Sequence, residues 1–279
     1  EETLVDISFE DHITVCGDTH GQFYDLLNIF ALNGNPSASN PYLFNGDFVD
    51  RGSFSCEVVI TLMAFKILYP KHMFLHRGNH ETKGLNKIYG FEGEVKAKYG
   101  ESAYKLFCEL FCSLPLCSVL NKKVFVCHGG LFNKEGVKLQ DIKAVNRFSE
   151  PPESGIFVDL IWSDPMPNPG RALSKRGTGV SFGPDVTAQF LGDNGLDLIV
   201  RSHEVKDAGY AIEHDGKCIT VFSAPNYCDQ VGNKGAFVKF DAATLKPVFT
   251  QYDAVPHPKV PPMAYSAMSS MAGMSSLFM

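Results

Sequence analysis

With 279 residues, 44% of them apolar and 20% charged, the chain is long enough for one large domain with a substantial core and has the balance of a soluble globular protein. Its 25 basic side chains are outnumbered by 31 acidic ones, for a net charge of -6, and no Lys/Arg block occurs, which argues against a nucleic-acid surface. The longest apolar stretch, residues 58–65, is far too short to cross a bilayer, so no membrane contact is expected.

Apolar runs and helical patterns alternate along the first half. Residues 13–16 read as a buried strand broken by Gly17. Residues 23–32 follow as a helix, with Leu26, Leu27 and Phe30 at helical spacing and Asn33-Gly34 as its stop. Residues 42–44 give a strand, 56–68 a helix ending before Pro70, and 72–75 a third strand. Helices over 88–98 and 102–112 precede a strand over 123–127. The second half is richer in strands, at 196–200, 218–222, 236–240 and 248–252, with a helix over 185–191 opened by Pro184. This order predicts an α/β fold (α+β in some schemes): a central β-sandwich of two mixed sheets, packed face to face and flanked by helices. One domain is expected over residues 1–255. Over 256–279, Pro256, Pro258, Pro261 and Pro262 suggest an extended strap. Met268, Met271 and Met274 then recur every third residue, as a frayed terminus or a short helix docking by its Met stripe.

The eight cysteines form no Cys-x-x-Cys pair and mostly lie in apolar runs, so reduced thiols are expected, as in the cytoplasm or nucleus. The chain begins at Glu1 rather than methionine. A fragment is therefore expected, with any targeting signal in a missing N-terminal segment.

Three strings carry the chemistry: Gly17-Asp18-Thr19-His20-Gly21, Gly46-Asp47-Phe48-Val49-Asp50-Arg51-Gly52 and Gly78-Asn79-His80-Glu81. His128 and His203 stand alone downstream. Each string or histidine follows an expected strand, where open α/β sheets place ligand sites. Singly, each has an ordinary explanation as a turn residue or a structural histidine. Turns, however, need neither histidine nor a repeated Gly-Asp. Together the residues supply two divalent ions: Asp18, His20 and Asp47 for one, and Asp47, Asn79, His128 and His203 for the other. These O/N donor sets without thiolate suit manganese, with iron or zinc as alternatives. Two adjacent ions point to hydrolysis of a phosphate ester by an activated water.

His80 adjoins Asn79, and in extended chain it would face the other way. Held protonated by Asp50, it makes a general acid for a leaving alkoxide. Arg51 and Arg176 offer planar guanidinium groups for phosphate, with Arg77 as a possible substitute. Two divalent ions, two carboxylates, one hydroxide and two arginines leave about three positive charges, which favours a dianionic monoester over a diester. Cys228 is a rival nucleophile, but no arginine follows it at the Cys-x5-Arg spacing of a cysteine phosphatase.

These strings, with His128-Gly-Gly-Leu, Leu160-Ile-Trp162-Ser-Asp-Pro, Arg201-Ser-His-Glu and Ser223-Ala-Pro-Asn-Tyr-Cys228, resemble the phosphoprotein phosphatases, the metal-dependent serine/threonine protein phosphatases. The resemblance runs over nearly all of residues 11–252. It implies a metallophosphoesterase-like sandwich, two metal ions on the ligands named above, and phosphoserine and phosphothreonine in proteins as substrates. It also implies His80 as acid with Asp50 as its partner, and Arg51, Arg176, Asn79 and Tyr227 as phosphate or substrate contacts. Further strings (Tyr89-Gly-Phe-Glu-Gly-Glu, Ser174-Lys-Arg-Gly and Ala254-Val-Pro-His-Pro) resemble a branch whose members carry tetratricopeptide repeats ahead of the catalytic domain. There the repeats bind a heat-shock chaperone, and none is present in this sequence. One departure stands out: His76 occupies a position where the family usually has an apolar residue. A dinucleotide polyphosphate hydrolase and an inactive phosphoprotein-binding module are the alternatives. The second would need a missing ligand or acid, and none is missing.

Overall fold

A computed structural model describes residues 1–266; the Met-rich stripe at Met268, Met271 and Met274 lies outside the described residues. The β-branched and aromatic runs of the first part form β1 (Leu4–Ile7), β2 (His12–Cys16), β3 (Tyr42–Phe44) and β4 (Met73–Leu75). Between them lie α1 (Phe23–Asn33) and α2 (Ser55–Leu68). Then come α3 (Lys83–Tyr89), α4 (Phe91–Tyr99), α5 (Glu101–Ser113), β5 (Cys117–Leu120), β6 (Val124–Cys127), α6 (Leu139–Lys143) and α7 (Ile156–Trp162). The remainder is β7 (Asp164–Pro165), β8 (Arg171–Leu173), β9 (Val180–Phe182), α8 (Pro184–Asn194), β10 (Leu198–Arg201), β11 (Tyr210–Glu213), β12 (Cys218–Val221), β13 (Gly235–Asp241) and β14 (Pro247–Tyr252).

The strands form a six-stranded sheet, β1-β5-β6-β10-β12-β11, and a five-stranded sheet, β14-β13-β2-β3-β4. Both are mixed: β2, β3 and β4 run parallel in one, with antiparallel β13 beside β2, and β6, β10 and β12 run parallel in the other, between antiparallel β5 and β11. Alternation along the strands builds three apolar layers. Val15, Leu43, Val124, Val126, Val200 and Val238 face inward and fill the space between the sheets. Their neighbours Cys16, Tyr42, Phe44 and Phe237 face outward onto α1, α2, α4 and α5. Phe125, Cys127, Ile199 and Cys218 face outward onto α7 and α8. Burying an apolar side chain of this size stabilises by roughly 1.5–3 kcal/mol, so the middle layer is the main force holding the sheets together. The expected sandwich of two mixed sheets between helices is thus the observed architecture.

Several local expectations change. The helix over 88–98 is two helices, broken at Gly90, whose φ of 118° ends α3 and opens α4. α7 is absent from the sequence reading because Ile-Phe-Val-Asp-Leu-Ile-Trp is apolar on nearly every side, and seven residues are too few to show a period. A third, three-stranded sheet, β7-β9-β8, is also unexpected; its strands are two or three residues long and carry no periodicity. Among the described residues, no helix is long and apolar enough to cross a membrane.

Candidate metal centre

The parallel strands of both sheets end on one rim. The loops after β2, β3 and β4 bring Asp18 and His20, Asp47 and Asp50, and Asn79 and His80. Those after β6, β10 and β12 bring His128, His203 and Tyr227. Close approach of the loops requires glycine: a Cβ on Gly17 would lie 2.0 Å from the Val221 carbonyl oxygen, and one on Gly78 would lie 2.2 Å from Asp47 Oδ1. The backbone is also unusual. His20 (φ 41°), Asp47 (52°), Asp50 (69°), Arg51 (69°) and His203 (70°) all occupy the left-handed region. Asp18 still bridges Phe222 and the chain turns at His20, while Asn79 and His80 lie in a turn and not in the extended chain expected for them from sequence. The turns are held by specific bonds. The amides of Thr19 and His20 donate to Asp47 O at 3.0 and 2.9 Å. The Glu81 carboxylate accepts from the amides of Asp47, Phe48 and Gly78, each at 2.8 Å. Glu81 belongs to one of the motif strings, but nothing in its spacing announced this bracing role.

Asp47 sits at the centre, fully buried. His20 Nε2 lies 3.5 Å and His128 Nε2 3.3 Å from Asp47 Oδ2, and His20 Nε2 lies 3.6 Å from Asp18 Oδ2. His128 Nε2 also faces His203 Nδ1 at 3.2 Å and Asn79 Oδ1 at 3.0 Å. The tautomers follow from the other ring nitrogens. His20 Nδ1 donates to Val49 O at 2.9 Å and His128 Nδ1 to Asn45 O at 2.8 Å, and a carbonyl can only accept. In the neutral form of each ring the Nε2 lone pair therefore points inward. Burial opposes a charge on Asp47, but the surrounding His128, His80 and His20 outweigh it and hold the carboxyl well below its usual range. Burial likewise opposes protonation of His128, yet Asp47 and Asp18 push it up to about 9. His203 moves the other way, held well below its usual value by burial and by His128.

Convergence of acceptors on acceptors is what a cation site looks like. With its oxygen inward, the Asn79 amide meets only acceptors; turned over, its NH₂ would lie 3.0 Å from both His203 Nδ1 and His128 Nε2. His203 Nε2 is buried without a hydrogen-bond partner among the described residues. Among the described residues, two ligand groups meet the geometry for a metal, Asp47–His128–His203 and His20–Asp47–His80, and they share Asp47. The residues fit divalent ions bound by oxygen and nitrogen. The second group contains His80, which the sequence reading kept apart from the ligands.

His80 packs edge-on against His20, with ring centroids 4.7 Å apart. Its Nδ1 meets Asp50 Oδ2 at 2.8 Å. Asp50 is further fixed by Asn86 Nδ2 at 3.2 Å and the Phe91 amide at 2.9 Å. Asn86 escaped the sequence reading because it is an unremarkable helical residue outside every string. Arg51 lies 3.8 Å from the centroid of the Tyr89 ring. Arg176 bonds Asp164 Oδ2 at 2.6 Å and His203 O at 3.0 Å. With Tyr227, whose ring lies 5.1 Å from that of His20, the two arginines line a cleft of about 330 Å³ over the ligands. A void of about 30 Å³ beneath residues 257–262 has no such convergent groups. Arg77 is not in the cleft. It is fully buried and donates to Glu81 O at 3.0 Å and Ser149 O at 2.7 Å, so the substitute phosphate role considered for it is withdrawn. The Cys228 thiol is pushed up by burial, the opposite of an activated nucleophile.

Residues 12–207 match the calcineurin-like phosphoesterase family. The chain is 66% identical over 266 residues to serine/threonine-protein phosphatase 5 of Arabidopsis thaliana, which covers 95% of this chain and 49% of that protein. It is 60% identical over 274 residues to serine/threonine-protein phosphatase 5 of Homo sapiens, covering 98% of this chain and 55% of that protein. The chain thus spans about half the length of these curated relatives. A solved protein serine/threonine phosphatase from Saccharomyces cerevisiae superposes with a TM-score of 0.91 at 44% identity, covering 95% of this chain and 88% of the other.

Proposed function

The chain belongs to the calcineurin-like phosphoesterase family, and from that premise we propose that it hydrolyses phosphoserine and phosphothreonine esters in proteins. The observation that carries this is the pair of buried ligand groups sharing Asp47 at the floor of an open cleft. Asp18, His20 and Asp47 would hold one divalent ion, and Asp47, Asn79, His128 and His203 the other, with manganese the metal proposed. When bound, the ions supply an activated water and neutralise charge on the phosphate.

The remaining work falls to side chains of this chain. Arg51 and Arg176 line the cleft from opposite parts of the sequence and would grip phosphate oxygens, with Tyr227 beside them. Asn79 is buried against His128 and does not line the cleft, so any contact it makes with phosphate would come from the floor. Stacking on Tyr89 holds the Arg51 plane, and Asp164 holds that of Arg176. His80 would give a proton to the leaving serine or threonine oxygen, from Nε2, because Nδ1 is held by Asp50. An open cleft reads a phosphate on a protein surface without enclosing the flanking residues.

The test is hydrolysis of a phosphopeptide by chelated protein, with and without added manganese, beside a dinucleotide polyphosphate. Manganese-dependent release of phosphate from the peptide is expected. Preference for the dinucleotide, or turnover indifferent to metal, would overturn the reading. A chaperone recruited through repeats outside this chain, and residence in the cytoplasm and nucleus, belong to the same proposal and rest on the resemblance.

A further inference from the structure

His76 follows β4, is fully buried, and makes no contact with the cleft. Its two ring nitrogens are both engaged: Nδ1 with Asn45 Oδ1 at 2.9 Å and Nε2 with Ser118 Oγ at 2.6 Å. Asn45 is the junction of the rim. Its amide nitrogen bonds Cys16 O at 2.9 Å, two residues before Asp18. Its side-chain NH₂ donates to Cys127 O at 2.7 Å and Ser202 Oγ at 2.9 Å, the residues just before His128 and His203. Its carbonyl takes the Nδ1 proton of His128. Asn45 itself stands two residues before Asp47. One residue therefore ties together the loops bearing Asp18, Asp47, His128 and His203, its backbone reaching Cys16 and His128 and its side chain crossing the gap between the two sheets to Cys127 and Ser202.

The direction of every bond in this chain is forced. Both Asn45 NH₂ protons are spent on the six-stranded sheet, so Asn45 Oδ1 must accept, and the donor it meets is His76 Nδ1–H. His76 Nε2 must then accept the Ser118 hydroxyl proton. Burial supports this neutral form, pushing the His76 ring down to about 3. An apolar side chain at position 76 would leave Asn45 Oδ1 without a donor and remove one of the three bonds that fix the amide.

We infer that His76 is a positioning residue: by fixing the Asn45 amide it sets the spacing of His128 and His203 from Asp47, and hence the hold on the metal ion those three share. The inference rests on the metal-site reading of the proposed function, but not on the reaction.

The experiment is calorimetric titration of chelated protein with manganese(II) chloride alone. Wild type is expected to bind two equivalents. His76→Leu should weaken one of them by about tenfold, the lower end of the effect of removing an outer partner of a ligand. His76→Asn, which places an NH₂ near the old Nδ1, should recover most of the loss. A lowered melting temperature with both manganese affinities unchanged in His76→Leu would overturn the inference, because a merely structural histidine predicts that result. Should His76→Leu not fold, Ser118→Ala decides the matter. It removes the proton given to Nε2 and should weaken the same equivalent by a smaller factor; unchanged binding again overturns the inference. Two equivalents bound by wild type without phosphopeptide hydrolysis would sink the proposed reaction alone and leave the His76 result standing. Failure of wild type to bind manganese would sink both.

Discussion

The five-stranded sheet brings the carboxylates of the ligand groups to the cleft, together with His20 and His80, whereas the six-stranded sheet brings imidazoles without a carboxylate ligand. Asp18, Asp47 and Asp50 all follow β2 or β3, whereas His128 and His203 follow β6 and β10. The two sides are braced differently. On the carboxylate side the loops take left-handed backbone at His20, Asp47, Asp50 and Arg51, and the Glu81 carboxylate gathers three amides to hold them there. On the imidazole side, His128 is oriented by one main-chain carbonyl, that of Asn45. Burying a charge costs several kcal/mol unless it is partnered, so the carboxylate side needs many fixed donors. A neutral imidazole needs only the right tautomer and direction.

That contrast makes the carboxylate side the more sensitive. Asp47→Asn should bring phosphopeptide turnover to background and weaken both manganese equivalents, since both ligand groups share this residue. Wild-type turnover at saturating manganese would mean that the charge at the centre resides elsewhere. His80→Asn should lower kcat by about 10²–10⁴-fold, the range for a general acid, while both metal equivalents still bind. The deficit should shrink on p-nitrophenyl phosphate, whose leaving group needs no proton. An equal deficit on both substrates would remove the acid role and favour His80 as a ligand, as its grouping with His20 and Asp47 also allows. Glu81→Gln keeps one acceptor oxygen but puts an NH₂ where the other oxygen accepts a backbone amide. A loss of about 1–3 kcal/mol of stability is expected, measured by urea unfolding. No loss would show that the left-handed turns stand without it.

How much of this could be read from sequence follows the same division. The places of Asp18, Asp47, Asn79, His128 and His203 were legible because each adjoins an apolar run that must be a strand, and strand ends of parallel sheets share a rim. The sandwich was legible for the same reason. Roles that depend on a bond to distant backbone were not. Glu81 and Asn45 lie inside or beside the strings, yet nothing in their spacing shows that they brace amides and carbonyls up to 82 residues away. Arg77 was misread because an arginine beside a ligand string looks the same whether it points into the cleft or into the core. The third sheet was invisible because its short strands, Asp-Pro, Arg-Ala-Leu and Val-Ser-Phe, hold no continuous apolar run, unlike the equally short β3 and β4.

The strap touches both sides, and it gives the mildest test of the comparison. The Ser53 hydroxyl donates to Pro261 O at 2.7 Å and the Met263 amide to Arg51 O at 2.8 Å, on the carboxylate side. His257 Nε2 meets Asp229 Oδ1 at 3.1 Å, in the loop that carries Tyr227. Partial burial lowers the tendency of His257 to protonate, but the Pro258 carbonyl and Asp229 outweigh it, so the ring is raised above its ordinary value. A group raised on folding stabilises fully below its unfolded pKa, about 6.5 for histidine, and that contribution fades as pH climbs through the raised value. The strap is therefore expected to be cleaved faster by a protease at about pH 8 than at about pH 6, both flanking the ordinary histidine value. The change is small, because the pair is largely solvated. His257→Gln should flatten the difference and cleave at the faster rate throughout. If the variant keeps the wild-type pH dependence, the Asp229 contact does not anchor the strap, and the bonds at Ser53 and Arg51 hold it from the carboxylate side alone.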